Sequence, residues 1–301
     1  MVVGLKVGLK CAACLVYRAW REVERATQDE ELRFKVLSKV VELIGREFRA
    51  DNVPSYIGTK RDRLIKALTG NPDPYKVVKA EANRKALRML PMTEAFVENA
   101  ESDYERFLRA CKLAALGNAL DYDVLDHIPE LKANIEFFLS EGFAIDHSRE
   151  LYRLATQTRR ILYLTDNAGE IAFDTILVRE LKRLGCTVTV AVKGGPILND
   201  ATLEDAKTVG MDEIADRIMT TGTDAVGVLI SECSKEFIDE FKSASLIIAK
   251  GMSHWETITD FGTPCKTAFL MRVKCETVAS SLGAKPNQNV LKIVPKGFRI
   301  P

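Results

Sequence analysis

The chain has 301 residues, 47% hydrophobic and 28% charged, a composition typical of globular rather than disordered proteins. Its 43 Lys and Arg residues nearly balance its 42 Asp and Glu residues, which argues against nucleic acid or an anionic membrane as the main partner. No apolar run approaches the roughly 20 residues of a membrane-spanning helix, and the first ten residues do not read as a signal peptide. The seven scattered cysteines fit reduced thiols better than a disulfide framework, so we expect a cytoplasmic protein.

The first half of the chain has the apolar spacing of helices. Apolar residues recur three and four positions apart in CLVYRAWREVERA, ELRFKVLSKVVELIGREF, DRLIKALTG, PYKVVKAEANRKALRML, MTEAFVENAESDYERFLRACKLAALGNAL and IPELKANIEFFLSEG. The Pro-rich GNPDP suits the start of the fourth segment, and Gly142 is a natural C-cap for the last. Strand signals are nearly absent from residues 10 to 155. We therefore predict a helical N-terminal region over residues 1–155.

The second half alternates between strand and helix patterns. Short runs rich in β-branched residues occur at RILYLT, CTVTVAVK, SLIIAK, TAFLMRVK and NVLKIV. Helical patterns separate several of them, in IAFDTILVRELKRLG, LEDAKTVG and SKEFIDEFKSA. This alternation, with strands that are apolar throughout, is typical of a parallel sheet covered on both faces. Residues 156–301 are thus predicted to form an α/β domain, a three-layer α/β/α sandwich with a mostly parallel sheet that begins near residue 160.

A polar cluster follows the first predicted strand, in ILYLTDNAGE. Asp166 would lie at the strand tip with Asn167 beside it, and Gly169 would allow a tight turn. A helix starting near Glu170 would present free backbone N–H groups and its positive dipole end, which favour an anion. A carboxylate and an amide carbonyl next to an anion suit a hard divalent cation that bridges protein and phosphate. The alternative is an ordinary turn, since Asp-Asn-x-Gly is a common turn composition.

Other predicted strands also end in polar residues. Asn199 and Asp200 follow the second strand after a Gly-Gly-Pro loop, Lys250 and Gly251 end the SLIIAK run, and Lys274 ends TAFLMRVK. Ligands of open parallel sheets gather at the carboxyl ends of the strands. Oxygen ligands on two adjacent loops and lysines on two others therefore predict a metal-assisted phosphate site.

Several motifs together resemble one known family. DNAGE, GGPILNDAT, KGMSHWE and RVKCE, with an N-terminal Cys-x-x-Cys, look like the damage-control phosphatase family, once called domain of unknown function 89, and its CxxC-bearing microbial subfamily. EANRKALRMLP and AALGNALDYDV extend the resemblance over essentially the whole chain. The resemblance implies an α/β/α sandwich with a helical N-terminal part. It also implies metal-dependent hydrolysis of phosphate from small, often damaged or side-product metabolites such as sugar phosphates.

The resemblance also implies roles for individual residues. Asp166, Asn167 and Asp200 are the expected ligands of a divalent metal ion, with Mg2+ or Mn2+ as the chemical default and Co2+ or Ni2+ as alternatives. Lys274 is the expected phosphate binder, and whether Asp166 itself or a water molecule attacks phosphorus is left open. The subfamily has Gln-Gly-Asn where this chain has Met-Ser-His, ending at His254, which leaves the substrate preference open.

These considerations give a set of candidate site residues. The catalytic candidates are Asp166, Asp200 and Lys274, and the metal candidates are Asp166, Asn167 and Asp200. The substrate-binding candidates are Gly169, Glu170, Lys250, Gly251, His254 and Asn118. A small phosphorylated metabolite is the expected partner, and the oligomeric state is open.

The single Cys-x-x-Cys, Cys11 and Cys14, admits a bland and a chemical interpretation. Structural zinc usually needs four ligands, and no second Cys-x-x-Cys or His pair follows. Thioredoxin-like chemistry expects the motif in a strand-helix unit, which is not its context here. Burial on one face of a helix, or a minor role specific to the subfamily, is favoured over redox or metal use.

Three rival functions can be weighed on the same residues. A haloacid-dehalogenase-type phosphatase needs a second Asp two residues after the first, where this chain has Ala168. A Rossmann-type methyltransferase or dehydrogenase would have Gly-x-Gly-x-x-Gly after its first strand, and DNAGEIA has one glycine. A non-catalytic sugar-phosphate-binding protein would use the same ligands and remains an alternative.

Overall fold

The structure, a computed structural model, describes residues 4–119 and 141–300, with side chains described to residue 117 in the first range. The helix predicted in IPELKANIEFFLSEG lies almost entirely outside these residues, as does the side chain of Asn118. No helix in the two described ranges is both long and apolar enough to span a bilayer.

Helices and strands alternate along the second half of the chain, as predicted. The helices are α1 (Leu9–Ala26), α2 (Glu30–Glu47), α3 (Pro54–Thr69), α4 (Lys76–Glu98), α5 (Asp103–Ala119), α6 (Ser148–Gln157), α7 (Glu170–Arg183), α8 (Leu203–Thr208), α9 (Met211–Ile214), α10 (Lys235–Ser243), α11 (Met252–Phe261) and α12 (Glu276–Leu282). The strands are β1 (Ile145–Asp146), β2 (Arg160–Leu164), β3 (Thr187–Val192), β4 (Arg217–Thr220), β5 (Leu246–Lys250), β6 (Lys266–Arg272) and β7 (Asn289–Val294).

All seven strands belong to one sheet with the order β1-β7-β6-β5-β2-β3-β4. Every neighbouring pair is parallel except β6 and β7, which are antiparallel. The central strand β2 pairs with β3 on one side and β5 on the other, so the chain changes direction across the sheet at β2. In open α/β sheets such a switch point separates the loops that follow neighbouring strands and opens a crevice there. The loops after β2, β3 and β5 are therefore brought to one place.

Helices cover both faces of the sheet, because successive strand side chains point to opposite faces. Ile161 and Tyr163 of β2 pack in one apolar cluster with residues of α4, α5, α6 and α7. Leu162 and Leu164 of the same strand pack in a second cluster with residues of α10, α11 and α12. The predicted three-layer α/β/α sandwich with a mostly parallel sheet is confirmed.

The organisation of the first half differs from the prediction. α1, α2 and α3 form an apolar cluster of their own, whereas α4 and α5 belong to the cluster that covers the sheet. Residues on both sides of the predicted domain boundary at 155/156 therefore share one hydrophobic core. The sheet also begins earlier than residue 160, because β1 (145–146) pairs with the end strand β7. β1 and β4 are too short to give an apolar run in the sequence, and Met219 is the one buried residue of the two strands.

The break between α4 and α5 was placed too early. α4 continues through Pro91 to Glu98, where a helix end was expected before the proline. The chain then turns, and Ser102 precedes the first residue of α5. Its hydroxyl accepts from the Glu105 amide at 3.2 Å, and the Glu105 carboxylate accepts from the Glu101 amide at 2.9 Å. This Ser-x-x-Glu arrangement resembles the capping box that favours a helix start.

A close approach of α5 to α7 predicts an asymmetry between two glycines. A Cβ at Gly117 would lie 2.9 Å from Cγ and 3.0 Å from Cα of Glu170, whereas one at Gly45 would meet nothing within 4 Å. We expect Gly117→Ala to lower the free energy of unfolding by about 1–3 kcal/mol through overpacking. Gly45→Ala, the control in α2, should be neutral or stabilising by up to about 1 kcal/mol. Urea unfolding measures both, and equal effects would contradict the packing described.

Candidate active site

Two loops at the carboxyl ends of β2 and β3 are joined by their backbones. The Ala168 amide donates to the Asn199 carbonyl at 2.8 Å, and the Ala201 amide donates to the Asp166 carbonyl at 2.7 Å. Asn167 and Asp200 form an antiparallel bridge between the same loops. These bonds hold Asp166, Asn167 and Asp200 side by side, although 34 positions separate the two aspartates. The predicted metal candidates are thus brought together.

Asp166 lies in a confined space that depends on a glycine. Gly251, which follows β5, has φ +79°, and a Cβ there would lie 1.9 Å from Oδ2 of Asp166. The predicted candidate Gly251 therefore makes room for the Asp166 carboxylate. Burial, then the negative charges of Glu170 and Asp200, raise the pKa of Asp166 well above its ordinary value, and Lys274 and Lys250 oppose this rise.

Asp200 is buried with an unsatisfied oxygen. Its side chain is 4% exposed, and Oδ2 has no hydrogen-bond partner among the described residues. The nearest cation is Lys193, whose Nζ lies 3.5 Å from Oδ2 and donates at 2.6 Å to the Gly227 carbonyl. Burial raises the pKa of Asp200 to about 6, against the opposing charge of Lys193. Apart from this ion pair with Lys193, Oδ2 has no hydrogen bond from the described residues, so it keeps acceptor capacity that a metal ion could use.

The orientation of Asn167 is fixed by two carboxylates. Its Nδ2 donates to Oδ2 of Asp166 at 3.2 Å and to Oε2 of Glu170 at 3.0 Å. With both protons of the side-chain amide engaged, the side-chain oxygen Oδ1 of Asn167 remains as an acceptor.

Two carboxylates and an amide oxygen form a donor set that fits a hard divalent cation. Within the described chain, no group of three His, Cys, Asp or Glu side chains is arranged to hold a metal ion. The third ligand type here is instead the amide of Asn167. The unsatisfied Oδ2 of Asp200 is the observation that supports the fit.

Lys250 does not face the cavity, so the prediction that it binds substrate is wrong. Its buried ammonium donates to the Ala114 carbonyl at 2.9 Å, to Glu170 Oε1 at 2.5 Å and to Asp174 Oδ1 at 2.7 Å. These contacts use all three of its donors. As the last residue of β5, Lys250 falls on the same sheet face as Leu246 and Ile248, the face covered by α5 and α7.

Glu170 and Gly169 also differ from their predicted substrate-binding roles. Glu170 is fully buried, with Oε1 bound by Lys250 and Oε2 bound by Asn167. Gly169 adopts the predicted turn with φ +76°, but its amide donates to Asn83 Oδ1 at 2.6 Å. The Ile171 amide is bonded to the Asn167 carbonyl. These amides at the start of α7 are therefore occupied within the protein instead of being open to a phosphoryl group.

His254 is likewise buried, and the prediction that it lines the substrate site is wrong. Its side chain is 1% exposed, and Nδ1 donates to the Lys250 carbonyl at 2.6 Å. Burial, then the positive charge of Lys193, lower the pKa of His254 to about 3. The imidazole is therefore neutral near pH 7 and supports the start of α11.

A cavity of about 750 Å3 opens between helices α1 and α3 and the strand ends. Asp166, Asn167, Asp200 and Lys274 all line it, and Lys274 is solvent-exposed. Sequence reasoning missed further polar residues of its lining, among them Arg18, Arg21, Arg25, Ser55, Arg61 and Glu256. Helices α1 and α3 of the N-terminal half therefore form one wall of the site.

A hydrogen-bonded link holds this wall in place. The buried carboxylate of Glu256 on α11 accepts from the Ser55 amide at 3.1 Å and from the Ser55 hydroxyl at 2.5 Å, at the start of α3. Burial raises the pKa of Glu256, and these Ser55 donors and the charge of Arg18 oppose the rise. The contact ties the helical cluster to the helix that follows β5.

Cys11 and Cys14 line the cavity, so the favoured interpretation of burial is wrong for Cys14. Cys14 is exposed and Cys11 is partly buried, with Sγ 3.6 Å from the Thr277 hydroxyl. α1 buries Leu15, Ala19 and Val23 instead. Positions 11, 14, 18, 21 and 25 follow each other at intervals of three and four, a spacing that places them on one helix face.

Comparison with known proteins gives a consistent family. The family described as damage-control phosphatase ARMT1-like domain matches residues 8–290. The chain is 36% identical to an uncharacterized protein of Methanocaldococcus jannaschii over 96% of this chain and 95% of that one. It is 33% identical to a protein of Archaeoglobus fulgidus named damage-control phosphatase, over 96% and 100% of the two chains.

A solved structure has the same fold. The crystal structure of a DUF89 family protein from Pyrococcus horikoshii matches with a TM-score of 0.87 and 31% identity, covering 97% of this chain and 99% of that one. The chain belongs to the damage-control phosphatase ARMT1-like family.

The raised pKa of Asp200 predicts a pH dependence of stability. A carboxyl group whose pKa rises from 3.8 to about 6 on folding binds its proton more tightly in the folded state. Its contribution therefore favours folding below pH 3.8 and is lost as the pH rises to about 6. With chelator present, the free energy of unfolding of the wild type should fall between pH 3.8 and about 6. This fall should exceed that of Asp200→Asn by on the order of 1–3 kcal/mol. Parallel pH profiles in urea unfolding would contradict this.

Proposed function

We propose that this member of the damage-control phosphatase family is a metal-dependent phosphatase of small phosphomonoesters, including sugar phosphates. The observation that carries the proposal is the convergence of Asp166, Asn167 and the unsatisfied Oδ2 of Asp200 on one cavity. Lys274 lines the same cavity and lowers the pKa of Asp166, so a cation accompanies the acidic cluster. The family name of its relatives supports the same chemistry.

The metal ligands would be the carboxylates of Asp166 and Asp200 and the side-chain oxygen Oδ1 of Asn167. Hard oxygen ligands favour Mg2+ or Mn2+, with Co2+ or Ni2+ as alternatives. When bound, such an ion would polarise a phosphate oxygen and offset its negative charge. It would also remove the mutual repulsion that raises the pKa of Asp166.

The protein groups around these ligands orient them. Lys250 holds Glu170, Glu170 holds the amide of Asn167, and that amide holds Oδ2 of Asp166. Preorganised ligands and dipoles of this kind need no rearrangement when charge develops in a transition state. Lys250 and Glu170 are therefore positioning residues.

Lys274 has the exposure that phosphate binding needs. Its ammonium can neutralise charge on the phosphoryl group as the bond to the leaving oxygen breaks. Since the Gly169 and Ile171 amides are occupied, the proposal assigns the neutralisation of phosphoryl charge to the cationic side chains of the cavity lining, Lys274 first among them.

Metal removal tests the proposal directly. Protein treated with chelator should lose phosphate release from a panel of sugar phosphates and recover it with Mn2+, Mg2+ or Co2+. Full activity after exhaustive chelation would remove the metal from the mechanism. A protein that binds the panel without releasing phosphate would be the non-catalytic binding protein instead.

Two isosteric substitutions test the ligands. Asp166→Asn and Asp200→Asn each remove one negative charge and keep size, so metal affinity and kcat/KM should fall by about 100-fold or more. Asp212→Asn makes the same change at an exposed position outside the cavity and should leave both unchanged. Circular dichroism checks folding, and calorimetry measures metal affinity. Near-native activity of Asp166→Asn would show that Asp166 is not a metal ligand and that the polar cluster is an ordinary turn.

A further inference from the structure

Three guanidinium groups gather at the end of the cavity near Tyr75. Arg18 and Arg25 come from α1 and Arg61 comes from α3, and all three line the cavity with Tyr75. Each lies close enough to oppose the pKa rise of the Tyr75 phenol, and Arg25 stacks over its ring at 5.0 Å. We call Arg18, Arg25 and Arg61 the arginine cluster.

Arg61 is the buried member of the arginine cluster and has unused donors. Its side chain is 1% exposed, and neither Nε nor Nη2 has a hydrogen-bond partner within the described chain. Nε lies 3.3 Å from Oε2 of Glu22, yet both Glu22 oxygens also lack hydrogen bonds. Burial and the neighbouring Asp62 raise the pKa of Glu22, and the charge of Arg61 opposes this rise. Arg61 therefore keeps two donor nitrogens without hydrogen bonds to the described residues on the cavity wall.

The arginine cluster reaches toward the metal candidates. Arg18 and the metal candidates Asp166 and Asp200 line the same cavity. Seven positions separate Arg18 from Arg25, which on a helix is about 10 Å. The arginine cluster therefore shares one cavity with the metal candidates, and its two members on α1 start from positions about 10 Å apart.

The cavity has more room and more positive charge than one phosphoryl group requires. At about 750 Å3 it falls in the size range of pockets for whole metabolites. Among the residues that the structure describes, six basic ones line it: Lys10, Arg18, Arg21, Arg25, Arg61 and Lys274. The acidic lining residues are Asp166, Asp200, Glu256 and Glu276, and Lys10 pairs with Glu276 at 2.6 Å. With a divalent cation on Asp166 and Asp200, the rest of the described lining would hold six basic side chains against two acidic ones.

We propose that the arginine cluster binds a second anionic group of the substrate, a carboxylate or a second phosphate, while the group to be hydrolysed lies at Asp166 and Asp200. Guanidinium groups match the planar fork of carboxylate and phosphate oxygens, which makes arginine the common residue for such recognition. Arg18 and Arg25 each keep an interaction within the chain, and the five donors of a guanidinium allow a ligand to bind in addition. The inference rests on the proposed phosphatase function and narrows its substrate class to phosphomonoesters with two anionic groups.

Binding of non-hydrolysable phosphonates tests the second subsite without turnover. Calorimetry on the Mn2+-loaded protein compares methylphosphonate, with one anionic group, with 3-phosphonopropionate and propane-1,3-diphosphonate, which have two. The wild type should bind at least one two-headed compound about 10-fold or more tightly than methylphosphonate, and the better of the two identifies the second group. Equal affinities for all three compounds would overturn the inference.

Arginine variants connect that preference to the cluster. Arg25→Gln and Arg18→Gln should each reduce the preference for the two-headed compound by about 10-fold, the usual loss for a charge-assisted hydrogen bond. Arg18 is exposed, so its variant serves should Arg25→Gln fail to fold. Arg84→Gln, which removes an exposed arginine paired with Glu81 outside the cavity, should keep the wild-type preference. An unchanged preference in both cluster variants would also overturn the inference.

Turnover separates this inference from the proposed function. The ratio of kcat/KM for 6-phosphogluconate to that for glucose 6-phosphate should exceed 10 in the wild type and fall about 10-fold in Arg18→Gln. Phosphate release with a ratio near 1, unchanged in the variant, would overturn the second subsite and leave the phosphatase standing. A phosphonate preference without any phosphate release would support the subsite and overturn the phosphatase.

Discussion

The site is organised around two carboxylates that the fold buries next to each other. Asp166 and Asp200 are held together by backbone bonds between the loops after β2 and β3, and each loop is anchored in a central parallel strand. Two buried like charges are unfavourable, because burial and mutual repulsion both disfavour ionisation. A divalent cation removes both costs, which is why a metal site is the natural interpretation of this arrangement. Gly251 makes the geometry possible by leaving space beside Asp166.

Below the carboxylates, an internal ion network supports the geometry. Lys250 is enclosed by Glu170, Asp174 and the Ala114 carbonyl, and Tyr163 donates to the same oxygen of Asp174 at 2.7 Å. Buried charges are tolerated when they are paired and hydrogen-bonded. The network connects β5, α5 and α7 to the loop that carries Asn167. Stability of the sheet and orientation of the metal candidates are thus parts of one construction.

Local patterns in the sequence predicted part of this arrangement. Apolar runs followed by DNAGE and by Asn199–Asp200 placed acids at parallel strand ends, and the topology brought them together. Side-chain direction was harder to predict. Lys250 ends β5, and because successive side chains of a strand point to opposite faces of the sheet, it lies on the face covered by α5 and α7. The arginine cluster was missed because the packing of α1 over the strand ends is a long-range contact. The spacing of Arg18, Arg21 and Arg25 only indicates a shared helix face.

The central claim is that Asp166, Asn167 and Asp200 hold one divalent cation. Crystals of the protein grown with Mn2+ and examined by anomalous diffraction test it most directly. We expect a single strong peak about 2.0–2.6 Å from carboxylate oxygens of both aspartates and from the side-chain oxygen Oδ1 of Asn167. A peak elsewhere in the cavity, or none at these three residues with Mn2+ in excess, would contradict it.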